Sequence, residues 1–111
     1  MSWFVYLLRC RDGSLYAGIT TDLSRRLREH AGEGGRGAKY TAAHAPLGFA
    51  AAWAAPDRSS ASRLEARLKR LSRSGKESAA EAGTDLASLC GCVPVRIHPD
   101  GTVTDEVPEI P

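Results

Sequence analysis

Residues 3–20, WFVYLLRCRDGSLYAGIT, decide how the rest of the chain is read. Residues 3–9 are aromatic, β-branched or long and apolar, and residues 14–19 (SLYAGI) repeat that character, so both read as strands. Asp12-Gly13 between them is a hairpin signal. Loop length sets which side chains share a face. A two-residue loop would put Tyr6 and Tyr16 on opposite sides. A three-residue loop, Arg11-Asp12-Gly13, pairs Cys10 with Ser14, sets Tyr6 opposite Gly18 and Leu8 opposite Tyr16, and so gathers both phenols on one face. Gly13 then takes the left-handed position of the turn, and Gly18 leaves space above the sheet for the Tyr6 ring or a ligand.

Thr20-Thr21-Asp22 follows, with Thr21 or Asp22 suited to cap a short helix over LSRRLREH (23–30). Leu23 and Leu27 form its apolar stripe, and Arg26 and His30 share an adjacent face. The Gly/Ala-rich stretch 31–46 reads as a loop that carries Arg36, Lys39, Tyr40 and His44. Residues 47–54, LGFAAAWA, suit a third strand with Leu47, Phe49, Ala51 and Trp53 on one side. The helix pattern is clearest over 58–73: Asp57 or Ser59 is its cap, Ala61, Leu64, Leu68 and Leu71 its apolar stripe, and Gly75 its stop. Glu65 lies beside that stripe. A further helix fits 76–82 and one more turn fits 85–89. Residues 93–107 fit a hairpin turning at Pro99-Asp100-Gly101. The fold class is therefore α/β, a small, mostly antiparallel three-stranded sheet flanked by helices. The domain occupies residues 1–82 and an acidic extension residues 83–111.

At 111 residues, 42% hydrophobic and 25% charged, the chain has the composition of one globular domain with its own core. No apolar run approaches the roughly 20 residues of a membrane span, so no membrane partner is expected. The start MSWFVYLLRC lacks the features of a secretory leader. Three cysteines, Cys10, Cys90 and Cys92, are too few and odd for a disulfide framework and argue for a reducing cytoplasm. The net charge of +2 hides an asymmetry: residues 1–82 hold fourteen basic and eight acidic residues, residues 83–111 one basic and five acidic. A basic body suits an anionic partner.

Tyr6, Tyr16, Arg26, His30 and Glu65 are the residues whose types suit phosphodiester hydrolysis. A carboxylate holds a hard divalent ion through oxygen, an arginine forks two donors onto a phosphate, and tyrosine or histidine can move a proton. Each also has a plainer reading: sheet-face tyrosines, a solvated Arg25–Arg26 face with Glu29 as partner, a capping His30, and a Glu65–Lys69 pair one helical turn apart. Cys90, Cys92 and His98 lack the spacing and the fourth ligand of a zinc site.

Taken in order, Phe4-Val5-Tyr6, the ten residues to Tyr16-Ala17-Gly18, the helix with Arg26 and His30, and the later helix with Glu65 resemble the GIY-YIG nuclease family. The small stand-alone bacterial members are the nearest in kind. The resemblance runs from about Trp3 to Lys76 and includes GRGAKYT (35–41) and the stretch 57–76. Phe4, Val5 and Ala17 depart from the family's motif at backbone-packing positions. The resemblance implies a metal-dependent endonuclease acting on DNA. It places Tyr6, Tyr16, Arg26, His30 and Glu65 in the catalytic site, with Mg2+ or Mn2+ on Glu65. Arg36, Lys39, Tyr40, Lys69, Arg70, Arg73 and Lys76 are the candidate nucleic-acid contacts, with little sequence preference and a taste for branched or flapped DNA. Two rival readings remain: a non-catalytic nucleic-acid-binding module, and a nuclease subunit that works only with a protein partner.

Overall fold

A computed structural model describes residues 2–30, 46–82 and 85–103, with the side chains of His30, Pro46 and Ala82 left aside. Strand β1 (Trp3–Cys10) and strand β2 (Leu15–Thr20) form the expected hairpin. Its register pairs Tyr6 with Gly18 and Leu8 with Tyr16. The Cys10 N–H donates to Ser14 O at 3.0 Å and the Gly13 N–H to Cys10 O at 2.9 Å, which is the three-residue loop. Gly13 has φ +83°, a backbone conformation that a Cβ disfavours.

Helix α1 (Leu23–His30) is capped by Asp22, whose carboxylate accepts from the Arg25 N–H at 3.0 Å. Strand β3 (Pro46–Ala55) pairs antiparallel with β1, and helix α2 (Arg58–Lys69), helix α3 (Arg73–Ala82) and helix α4 (Asp85–Leu89) follow. Strand β4 (Val93–Val95) pairs with β3 and gives the sheet order β2-β1-β3-β4. The fold is α/β with an antiparallel sheet flanked by helices, and it has four strands where the sequence pattern suggests three. The fourth comes from the 93–107 stretch: after β4 the chain turns at 98–101 and Ile97 bridges Val103.

The sheet separates two cores. Val5, Leu7, Ala51 and Trp53 pack with Ala61, Leu64 and Leu68 of α2, Ala79 of α3 and Ala87 of α4. On the other face Phe4, Tyr6, Leu8, Cys10, Phe49 and Ala52 pack with Leu23 of α1 and Val95 of β4. Phe49 thus lies across the sheet from Ala51 and Trp53, against the expectation of one shared side. The cause is a bulge: Leu7 pairs with Ala51 but Leu8 with Phe49, so Ala50 is an extra residue that reverses the alternation.

The long helix expected over 58–73 is two helices. α2 ends at Lys69, and a new start follows in which the Ser72 hydroxyl accepts from the Gly75 N–H at 3.1 Å. Gly75 therefore sits in the first turn of α3 and does not stop α2.

Candidate active site

Tyr6 stands at the centre of the sheet on the α1 face. Its ring lies over Gly18, where a Cβ would run into the phenol hydroxyl and ring. The Phe49 ring supports it from the side, with centroids 5.4 Å apart and planes tilted by 58°. From α1 the Arg26 Nε–H donates to the Tyr6 hydroxyl oxygen at 3.2 Å. Only 3% of Tyr6 is exposed, whereas Tyr16, two positions along the same face, is 41% exposed. One phenol is therefore a floor and the other a rim.

Arg26 also lines a cleft of about 550 Å3 between α1 and the adjoining ends of β1 and β2, together with Trp3, Thr20, Thr21, Arg25 and Glu29. Arg25 pairs with Glu29 at 3.7 Å, the local partner considered from the sequence. Thr20 stays out of the chemistry, because its hydroxyl accepts from the Asp22 N–H at 3.1 Å and so shapes the entry to α1.

Glu65 comes from α2, which packs across β1 and β2 from the other face. It is half-buried, and Lys69 stands 3.5 Å from its carboxylate. Arg58, Ser62, Glu65 and Lys69 recur at helical spacing and form one stripe. At the start of that stripe the Arg58 guanidinium lies over the Trp3 ring, 5.4 Å from its centre. The structure thus joins Tyr6 to Arg26 and sets Tyr16 and Gly18 on the same face, while Glu65 belongs to the helix packed on the opposite face. The His30 side chain, Arg36, Lys39 and Tyr40 lie outside the described residues.

The remaining contact candidates fall where α2 meets α3. Lys69, Arg70 and Arg73 are exposed and Lys76 is half-buried. The Arg73 guanidinium lies on Gly13, so this basic junction adjoins the β1–β2 turn. The three thiols are free and buried. Burial pushes Cys10 above its ordinary range and Cys92 up to about 11, with the neighbouring Cys90 adding to the latter.

Trp3 and Phe49 are the site residues that pattern reading missed. Trp3 looks like any strand-opening aromatic until Arg58 is placed on it, and Phe49 reaches Tyr6 only because of the bulge.

A family model described as the GIY-YIG catalytic domain matches residues 2–78. The chain belongs to the GIY-YIG family, a nuclease family whose domain implies a nucleic-acid substrate. Its bacterial relatives include the UPF0213 protein BH0048 of Halalkalibacterium halodurans, 48% identical over 77 residues, which are 69% of this chain and 80% of that one. The UPF0213 protein XAC3202 of Xanthomonas axonopodis pv. citri is 54% identical over 74 residues, 67% of this chain and 71% of its own. A UPF0213 protein of Xanthomonas campestris pv. campestris is 44% identical over 100 residues, 90% and 89% of the two chains, so likeness extends past the family domain. The solution NMR structure of UPF0213 protein BH0048 from Bacillus halodurans is similar over 80% of this chain and 85% of that one, with 45% identity and a TM-score of 0.44.

GIY-YIG nucleases generally use divalent metal ions. Among the described residues no three His, Cys, Asp or Glu side chains gather into a metal-binding group. Glu65, half-buried with Lys69 at 3.5 Å, has the oxygen chemistry of a single carboxylate ligand. One such ligand fits an ion that keeps several waters and takes phosphate oxygens, as Mg2+ does. No helix among the described residues is long and apolar enough to cross a membrane.

Proposed function

We propose that this chain is a metal-dependent endonuclease that hydrolyses DNA phosphodiester bonds with little sequence specificity and with a preference for branched or flapped substrates. The observation that carries this is the Arg26–Tyr6 contact at 3.2 Å on the wall of an open cleft. A guanidinium tied by its Nε–H to a covered phenol is held in one orientation, and its planar fork suits a phosphate.

Burial divides the work. Tyr6, nearly covered, holds Arg26. Arg26 clamps the scissile phosphate and offsets the charge that grows on it in the transition state. Tyr16, at the rim, and the His30 imidazole orient the attacking water and move its proton. Water attacks phosphorus in line, the bond to the leaving oxygen breaks, and no covalent enzyme intermediate forms. Glu65 is the residue to hold Mg2+ or Mn2+, which when bound would neutralise phosphate charge. The basic α2–α3 junction, with Lys69, Arg70, Arg73 and Lys76, supports sequence-independent contact with the backbone.

The test is nicking of supercoiled plasmid and of a flapped duplex with Mg2+ or Mn2+. Cleavage by the wild type that chelator and Glu65→Ala both abolish is the expected result. DNA binding with no cleavage under any metal would leave a binding module, and cleavage only after addition of cell extract would point to a partner-dependent subunit.

A further inference from the structure

We infer that the cleft beside Arg26 receives an unpaired nucleotide next to the phosphate under attack, with its base on the Trp3 indole and its own phosphate on Arg25. This rests on the nucleic-acid reading above and goes beyond it in two ways. It says where the neighbouring nucleotide lies, and it requires that nucleotide to be out of the duplex.

Three observations carry the inference. The cleft holds about 550 Å3, within the range of pockets that enclose small ligands. Arg26 belongs to both the cleft wall and the Tyr6 contact, so an occupant of the cleft is a direct neighbour of a phosphate held by Arg26. The lining then pairs an aromatic side chain with cations: Trp3 opens β1 half-buried, and Arg25 and Arg26 line the same cleft beside Glu29. Outside that lining the Arg58 guanidinium lies over the Trp3 ring, 5.4 Å from its centre.

The Arg58 guanidinium lies over the indole, and a flat heterocycle uses the same π surface, by stacking in its place or by layering against it, because stacking and cation–π attraction share that surface. A base inside a duplex has both faces covered by its neighbours and cannot use such a platform, so the occupant is unpaired. Arg25 is bound only loosely by Glu29, at 3.7 Å, and its own side chain is 55% exposed against 20% for Glu29. Such a pair is weak and yields to a phosphate.

Tryptophan emission tests this directly, because the chain has two tryptophans and Trp53 is 2% exposed in the core. The wild-type chain is titrated with a single strand of about fifteen thymidines, with the same backbone carrying abasic residues, and with a duplex of equal length; anisotropy of labelled strands reports binding in parallel. The thymidine strand is expected to quench emission by about half and to bind about 10-fold more tightly than the abasic strand. The abasic strand and the duplex are expected to leave emission unchanged.

In Trp3→Phe the remaining signal should not respond to any strand, and Trp3→Leu should weaken single-strand binding about 10-fold. Should the leucine variant fail to fold, the wild-type titrations decide. Arg25→Gln should lower the salt slope by about 0.7. Equal quenching by thymidine and abasic strands, or binding and nicking without any quenching, overturns this inference alone. Absence of binding by every strand and duplex overturns the nuclease reading with it.

Discussion

Gly18 matters for the side chain it lacks. Tyr6 is wedged between Gly18 and Phe49 and is 3% exposed, so its ring has nowhere to retreat. Gly18→Ala is expected to push the phenol off Arg26. It should cost about 1–3 kcal/mol of stability, as overpacking does, and slow nicking about 100-fold through misplacement of the guanidinium. A urea midpoint and a nicking rate check both, and wild-type values for the two would remove Gly18 from the site. The Tyr6–Gly18 pairing was legible in the sequence because a hairpin with a three-residue loop admits one register, and Gly13 supplies the left-handed residue that loop needs. The burial of Tyr6 was not legible. It depends on Phe49, whose face is set by one extra residue, Ala50, and nothing in LGFAAAWA marks where a bulge falls.

Elements were legible where a local signal fixed them. Asp22 and Asp57 cap α1 and α2 as their positions before apolar stripes suggest. The α2–α3 break was obscured because Ser72 as a new cap and Gly75 as a stop are both reasonable readings of RLSRSG, and packing chose the first. Strand β4 has three residues with Pro94 among them, too short for an alternating pattern.

The Asp57 carboxylate accepts from the Ser60 N–H at 2.7 Å, and this bond holds its carboxyl below the ordinary value of 3.8. A lowered folded value means that the cap stabilises the fold above pH 3.8 and is lost as pH falls through that lower value. Asp57→Asn keeps a capping oxygen without the charge. Its urea midpoint should therefore fall less than that of the wild type between about pH 5 and pH 2, and parallel curves would contradict this role.

The closing hairpin is held by a backbone contact. The Phe49 N–H donates to Gly101 O at 2.8 Å, and a Cβ on Gly101 would come within 2.8 Å of the Gly48 Cα. Gly101 also has φ +85°. The close atoms are backbone, so one strand must shift to admit the methyl, and Gly101→Ala should loosen the hairpin and destabilise by about 1–3 kcal/mol. Amide exchange at Phe49 should accelerate accordingly, and unchanged protection would show that the hairpin is held elsewhere.

Across the whole molecule, the basic character lies in residues 1–82 and the acidic remainder follows. On the proposed function, Lys69, Arg70, Arg73, Lys76 and the cleft arginines share the phosphates additively, so log affinity for duplex DNA should fall with log salt at a slope of about −3 to −5. A slope shallower than about −1 would mean that these cations do not meet the backbone. The placement of the site candidates is a property of this level too: Tyr6 and Arg26 belong to the α1 side of the sheet and Glu65 to the helix on the other, a division that no local pattern in the sequence states.

The contrast between many cations that bind and one guanidinium that clamps is decided by Arg26→Ala, with its single-turnover nicking rate and its DNA affinity measured together. A rate lower by about 100- to 1,000-fold, with affinity within about 3-fold of the wild type, is the result expected of a group that acts in the transition state. Equal losses in rate and affinity, or no loss in rate, would show that the Tyr6–Arg26 contact is part of the fold and not of the chemistry.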